Sequence, residues 1–183
     1  GALSGEAITD GDHNVCIGYN TDVDTGSRHG CIVIGDNVSS TASDNIVRIG
    51  NAANQMVYDL DGGDITISSD IRIKKDIVDT DIGLAFINKL RAVKFKRRSS
   101  TEYGEEFDIP EELRYDIPSE KEDRIYDGFI AQEVKSVLDE LGITFGGWVD
   151  EDGKQRLSYG TFVVPLTKAV QELSAKVDTM QEE

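Results

Sequence analysis

Histidine and cysteine are almost absent from this chain of 183 residues. It holds two of each, His13, His29, Cys16 and Cys31, all near the start. There is no Cys-x-x-Cys pair and no dense cysteine framework, which excludes a zinc ribbon and a disulfide scaffold. Both thiols read as small apolar side chains. No metal and no cofactor is expected, and any chemistry after Cys31 must run without imidazole or thiolate. No apolar run approaches the ~20 residues needed to span a bilayer. No basic stretch leads into an apolar one at the start, so no signal peptide is expected. Positive charge is scarce: 19 Lys and Arg stand against 35 Asp and Glu, a net charge of −16. Such a surface repels phosphate backbones and anionic bilayers, so neither nucleic acid nor membrane is an expected partner. Hydrophobic residues make up 38% and aromatics 7%. This is lean for one globular core but too apolar for a disordered chain.

Composition changes near residue 68. Residues 1–68 carry 10 of the 18 glycines and only two cations, Arg28 and Arg48. An Ile-Gly pair recurs at Ile17-Gly18, Ile34-Gly35 and Ile49-Gly50, at spacings of 17 and 15 residues. Each pair ends a short apolar run and is followed by a turn former, Asn20, Asp36-Asn37 or Asn51. Glycine and Asn/Asp tolerate positive φ, so each unit reads as short strand, tight turn, short strand. One such unit cannot bury its apolar face alone, whereas stacking or winding around partner chains can. A last run, Asp64–Ser68, alternates Ile65 and Ile67 with polar residues and is expected to bury one face.

The remainder is charged and helical in pattern. Asp79-Thr80-Asp81 precedes Ile82, Leu84, Ala85, Ile87 and Leu90, predicting an N-capped helix of roughly 80–90. Val93–Lys96 alternates as a strand. Residues 99–124 are polar, include Pro110 and Pro118, and read as a long insertion loop with one short helix near 111–115. Asp127–Val134 opens a second helix, which Gly142 ends. A hairpin follows, Trp148-Val149 and Arg156–Tyr159 around a turn at Asp150–Gly153. Over 161–183, Val163, Leu166, Val170, Leu173, Val177 and Met180 are spaced 3, 4, 3, 4, 3. That is an a/d seam awaiting a partner helix. Val at a with Leu at d mildly favours two strands in parallel coils, a weak preference over so short a stretch.

Ser69-Asp70-Ile71-Arg72-Ile73-Lys74-Lys75-Asp76-Ile77 sits where composition changes, and by local chemistry alone it is a solvated basic linker. It nevertheless resembles the Ser-Asp-x-Arg-x-Lys-x-x-Ile signature opening the C-terminal intramolecular chaperone domain of phage endosialidases, tail spikes and tail fibres. Gly128-Phe-Ile-Ala-Gln-Glu-Val134 resembles that family's second motif. Tyr159, followed by a helix carrying Ala169-Val-Gln-Glu-Leu173, resembles the third. The resemblance implies an α+β fold within an elongated homotrimer. A stacked or intertwined β shaft would occupy 1–68, and an α+β chaperone domain 69–183, closed by the coiled-coil helix. It implies a virion protein whose chaperone part folds the upstream fibre segment and is released in the host cytoplasm. It further implies autoproteolysis between Ser68 and Ser69, with Ser69 as nucleophile, Lys74 as base and Asp70 and Arg72 in support.

The chemistry suits these residues. A serine hydroxyl reaches its own preceding carbonyl through a five-membered ring, and an N→O acyl shift leaves an ester for water to hydrolyse. A neutral serine needs a base, and with no histidine or cysteine in this half, lysine is the available one. Lysine serves only if burial or like charge favours its neutral form. Arg72 and Lys75 supply like charge, while Asp70 and Asp76 oppose it. Five residues apart, Ser69 and Lys74 lie about 140° apart on a helix and on opposite sides of a straight strand. The pair therefore requires a bend within 70–73 or a lysine from a neighbouring subunit. Two other readings are a non-cleaving trimerisation cap and a carbohydrate-binding fibre tip using Tyr103, Tyr115, Tyr126 or Trp148. His29 meeting its copies on a threefold axis is a further arrangement, with surface exposure expected instead.

Overall fold

The Ile-Gly repeats stack directly on one another. In the computed structural model, which describes residues 1–40 and 43–182, β1 (Val15–Tyr19), β2 (Ile32–Asp36) and β3 (Ile46–Asn51) pair in parallel. The register places Ile17 on Ile34 on Ile49, and Gly18 on Gly35 on Gly50. A Cβ on Gly18 would sit 1.8 Å from the Gly35 carbonyl oxygen, and one on Gly35 1.8 Å from that of Gly50. Only glycine permits such close rungs. Asn20 and Asn37, two residues further on, take left-handed φ of 47° and 53°. The Asn20 amide donates to Asn37 Oδ1 at 3.0 Å, so the turn residues stack as well.

The chain bends at Asn20 and Asn37 and continues to a parallel bridge between Asp22 and Ser39; among the described residues, only the third unit reverses in a tight hairpin. Asn51 Oδ1 accepts from the N–H of Ala53 and Asn54, turning the chain into β4 (Gln55–Asp59), antiparallel to β3. After β1 and β2 the connections are long enough to carry the chain around and restart on the same side, which makes those strands parallel. A further rung precedes β1. Asn20 N–H donates to the Ala2 carbonyl, Gly5 N–H to the Thr21 carbonyl, and Ser4 Oγ lies 2.9 Å from Thr21 Oγ1. Leu3, with φ 58°, takes the place of Asn20 and Asn37.

Inward-facing Val23, Cys31, Val33, Val38 and Ile46 form the core of this unit, with Cys16 and Val57 against it. Cys31 is fully buried and Cys16 partly, both as free thiols. The outer face of the sheet is different. Ile17, Ile34, Ile49 and Met56 continue in register to Ile67 of β5 (Thr66–Ile67). Ile17 is 55% exposed and Ile67 75%. The expectation that Ile65 and Ile67 bury a face is therefore not met within one chain. Strand β5 is a two-residue edge, and Ile17, Ile49 and Ile67 on the outer face are exposed.

Contacts divide the chain into two units, Gly1–Ile77 and Val78–Glu183. The second is mixed α+β, as expected. Helix α1 (Leu84–Lys89) begins later than the Asp79–Asp81 signal suggested. Its first N–H is taken by a distant carboxylate, Glu172, at 2.8 Å, while Thr80 Oγ1 accepts only from Ile82 N–H. Strand β6 (Val93–Phe95) pairs antiparallel with β7 (Tyr126–Gly128). The expected opening of the second helix is at Asp127; this pairing holds 126–128 extended, and that helix starts at Ala131. Between β6 and β7, the insertion folds into three 3₁₀ turns and the short α2 (Ser119–Glu122). One of those turns, Glu111–Leu113, lies where a short helix was read.

Helix α3 (Ala131–Leu141) buries Val134 and Leu138 and ends on Gly142 at φ 65°, as its glycine stop predicted. The hairpin β8 (Trp148–Glu151) and β9 (Lys154–Leu157) turns at Asp152-Gly153, both left-handed. A 3₁₀ turn, Tyr159–Phe162, leads into α4 (Val163–Glu182); Glu183, the end of the expected helix, lies outside the described residues. Phe86, Val134, Leu138, Phe145 and Phe162 make the core, with Phe145 edge-on to Phe162 at 4.8 Å.

Candidate functional site

The candidate site lies at the end of the first unit and is made by one turn. Asp70 is extended, and its carboxylate accepts from the backbone N–H of Arg72 at 2.8 Å, capping a single 3₁₀ turn over Ile71–Ile73. The turn closes through Ile73 N–H to the Asp70 carbonyl and Lys74 N–H to the Ile71 carbonyl. A tight turn of this kind reverses the chain in three residues. It returns the Lys74 side chain to Ser69, and Lys74 Nζ donates to Ser69 Oγ at 2.8 Å. Of the two geometric routes open to the pair, a bend within 70–73 is the one found in the chain.

Asp70 and Arg72 form a two-pronged ion pair, Nε to Oδ1 at 2.9 Å and Nη2 to Oδ2 at 2.7 Å. The Arg72 guanidinium, helped by its backbone N–H, holds the Asp70 carboxyl below its ordinary value. Arg72 thus spends its charge on Asp70. The sequence sets Arg72 as like charge beside Lys74 and Asp70 as an opposing one; the structure turns each toward the other. Ser68, Ser69 and Lys74 are all exposed. So are Ile65, Ile67, Ile71, Ile73 and Ile77, an unusual density of uncovered apolar side chains in the sequence flanking Ser69.

The other predicted residues fall elsewhere. Val163, Leu166, Val170, Leu173, Val177 and Met180 are all exposed, while α4 packs on its own unit through Pro165 and Ala169. His29 is about half exposed, with Nδ1 2.6 Å from Asp12 Oδ1. Trp148 donates to Gln155 Oε1 and lies under the Lys135 ammonium. Tyr103, Tyr115 and Tyr126 line one cleft with several cations. Among the described residues, no group of three His, Cys, Asp or Glu side chains is placed to hold a metal. No helix among them is long and apolar enough to cross a membrane.

The second and third motifs turn out to support each other, which their spacing did not reveal. Tyr159 Oη accepts from the Phe129 N–H at 2.9 Å, and a Cβ on Gly128 would meet that oxygen at 2.4 Å. Glu133 of the second motif grips Arg91 with both carboxylate oxygens. Glu172 of the third caps α1.

Residues 69–143 match the family model described as chaperone of endosialidase. The match begins on Ser69 and ends one residue past the glycine that stops α3. No curated protein and no solved structure matches the chain.

Proposed function

We propose that this chain is the end of a phage tail fibre or spike whose part from Ser69 onward drives trimerisation and folding of the preceding β segment. It then releases itself by autoproteolysis between Ser68 and Ser69. The family supports the tail-chaperone role. The observation that carries the cleavage reading is the 2.8 Å contact between Lys74 Nζ and Ser69 Oγ at the first residue of the family match.

In this reading Ser69 Oγ attacks the Ser68 carbonyl carbon while the Lys74 amine takes the hydroxyl proton. The Ser68–Ser69 C–N bond breaks, and Lys74 returns the proton to the leaving Ser69 nitrogen. The resulting ester is hydrolysed by water, leaving a Ser68 carboxylate and a free Ser69 hydroxyl; the proton set free goes to the new α-amine. Lysine acts as a base where burial favours its neutral form. In the single chain the pair faces solvent, so the burial must come from assembly.

Two uncovered apolar surfaces support that assembly. One is the Ile17–Ile34–Ile49–Met56–Ile67 column, exposed at Ile17, Ile49 and Ile67, which runs to within two residues of Ser69. The other is the exposed seam of α4. Docking three copies through the column would cover the site segment with it, so that cutting follows correct assembly. Release then removes the path by which a retained chaperone also speeds unfolding, and the shaft is kinetically trapped.

N-terminal sequencing after expression tests the proposal. The smaller-numbered piece ends at Ser68, and the released piece of 115 residues begins Ser-Asp-Ile-Arg. Associated protein that stays at 20.1 kDa on a denaturing gel after long incubation overturns cleavage and leaves a permanent trimeric cap.

A further inference from the structure

The second unit gathers unpaired positive charge in one place. Although the chain carries a net charge of −16, a cleft of about 310 Å³ between the end of β6 and α2 is lined by Arg97, Arg98, Lys121 and Arg124 and by no acidic residue. Neighbouring cations are neutralised: Lys94 pairs with Asp127, Lys96 with Asp123, and Arg91 with Glu133. The four in the cleft have no carboxylate partner among the described residues. Like charges brought together without counter-charge repel, an arrangement that a bound anion relieves.

The walls are built rather than slack. Ser100 is buried, donates from Oγ to the Tyr115 carbonyl at 3.0 Å and accepts from the Tyr115 N–H at 2.8 Å. Arg114 crosses the loop to the carbonyls of Tyr103 and Ile109. Two of the cleft's guanidiniums are held against a ring: Arg97 and Arg124 lie 4.9 and 5.1 Å from the centre of Tyr126. Phe95 stacks on the same ring, and Phe107 packs against Tyr103. These rings are occupied by their own neighbours, so sugar stacking is disfavoured and recognition by charge is favoured. Three arginines offer planar forks that match phosphate or carboxylate oxygens, and Lys121 adds a mobile charge. The volume lies at the small end of ligand pockets.

We infer that this cleft binds a small, multiply charged anion carrying three or more negative charges on phosphate or carboxylate groups. It lies in a different unit from Ser69 and stands whether or not the chain cuts itself.

Calorimetric titration of the full chain with inorganic tripolyphosphate and with citrate tests it, at constant ionic strength. Saturable one-site binding of either probe is expected, and the tighter probe names the group preferred. Arg98→Gln, at an exposed side chain with no ring or hydrogen-bond contact among the described residues, should weaken binding about tenfold. Arg97→Gln with Arg124→Gln should abolish it, with circular dichroism confirming the fold. Lys154→Gln with Lys168→Gln, unpaired cations outside the cleft, should leave it unchanged. Absence of binding by both probes, or equal binding by wild type and Arg98→Gln, overturns the inference.

Discussion

Lys74 Nζ reaches Ser69 Oγ across one 3₁₀ turn of the same chain, at 2.8 Å. Everything the contact requires lies within six residues: an extended Asp70, its carboxylate on the Arg72 N–H, and a turn short enough to fold the lysine back. On the proposed cleavage reading, assembly would then have no catalytic residue to supply in trans, only cover.

Complementation separates the two arrangements. Ser69→Ala should stop cleavage altogether and Lys74→Ala should slow it by at least about a hundredfold, as loss of a general base does. A co-expressed mixture of the two variants should remain uncut on a denaturing gel. Recovery of cutting in the mixture would mean that the lysine comes from a neighbour.

The Asp70 cap should matter more than its charge. Asp70→Ala removes both the turn's cap and the Arg72 partner, and cleavage should fall several-fold while association, followed by light scattering, is kept. The Asp70 carboxyl is held below its ordinary value of 3.8. Its contribution is therefore complete above that value and lost only as pH falls through the lowered one. Cutting measured between pH 5 and 8 should show no titration from Asp70.

His29 gives the first unit an opposite dependence. A hydrogen bond to Asp12 raises the imidazole above its ordinary 6.5. The stabilisation is fully present below 6.5 and disappears as pH rises through the raised value. Asp12, lowered by His29 and then His13, keeps its charge there. Thermal melts should show the first unit losing stability as pH rises above 6.5, and His29→Gln should flatten that slope.

Gly128→Ala places a methyl 2.4 Å from Tyr159 Oη. Overpacking of that kind costs about 1–3 kcal/mol, and denaturant titration of the second unit should show a loss of that size. Tyr159→Phe, which removes only the acceptor for Phe129 N–H, should cost about 1 kcal/mol.

Leu166→Glu with Leu173→Glu alters two exposed positions of the α4 seam. The single chain should fold as before by circular dichroism, and the assembly should dissociate at concentrations where wild type is associated. Unchanged mass by light scattering would count against the seam as an interface.

Much of this was readable in advance because it rests on local rules. The Ile-Gly spacing gave the stacked strands, Gly142 the end of α3, Asp152-Gly153 the hairpin turn, and the heptad spacing the exposed stripe of α4. The rung at Gly1–Gly5 escaped notice because it lacks the Ile-Gly pair; its signal was Leu3, seventeen residues before Asn20. The helix starts were misplaced because partners far along the chain set them. Glu172 decided where α1 begins, and the pairing of Tyr126–Gly128 with β6 delayed α3. The Lys96-Arg97-Arg98 run gave no warning of a cleft, since Lys121 and Arg124 join it only after the loop closes.

The sequence by itself determined which residue types are available at the boundary: the adjacent hydroxyls of Ser68 and Ser69, the nearby amines of Lys74 and Lys75, and no imidazole. It also determined the periodicities that leave an apolar column and an apolar seam on the surface. Only the tertiary structure decided which way Arg72 points, that Lys74 meets Ser69 within its own chain, and that four cations converge where no carboxylate among the described residues answers them. Periodicity fixes the face on which a side chain lies through bonds three or four residues long. The choice of partner is an electrostatic and packing outcome, settled only once distant segments have been brought into contact.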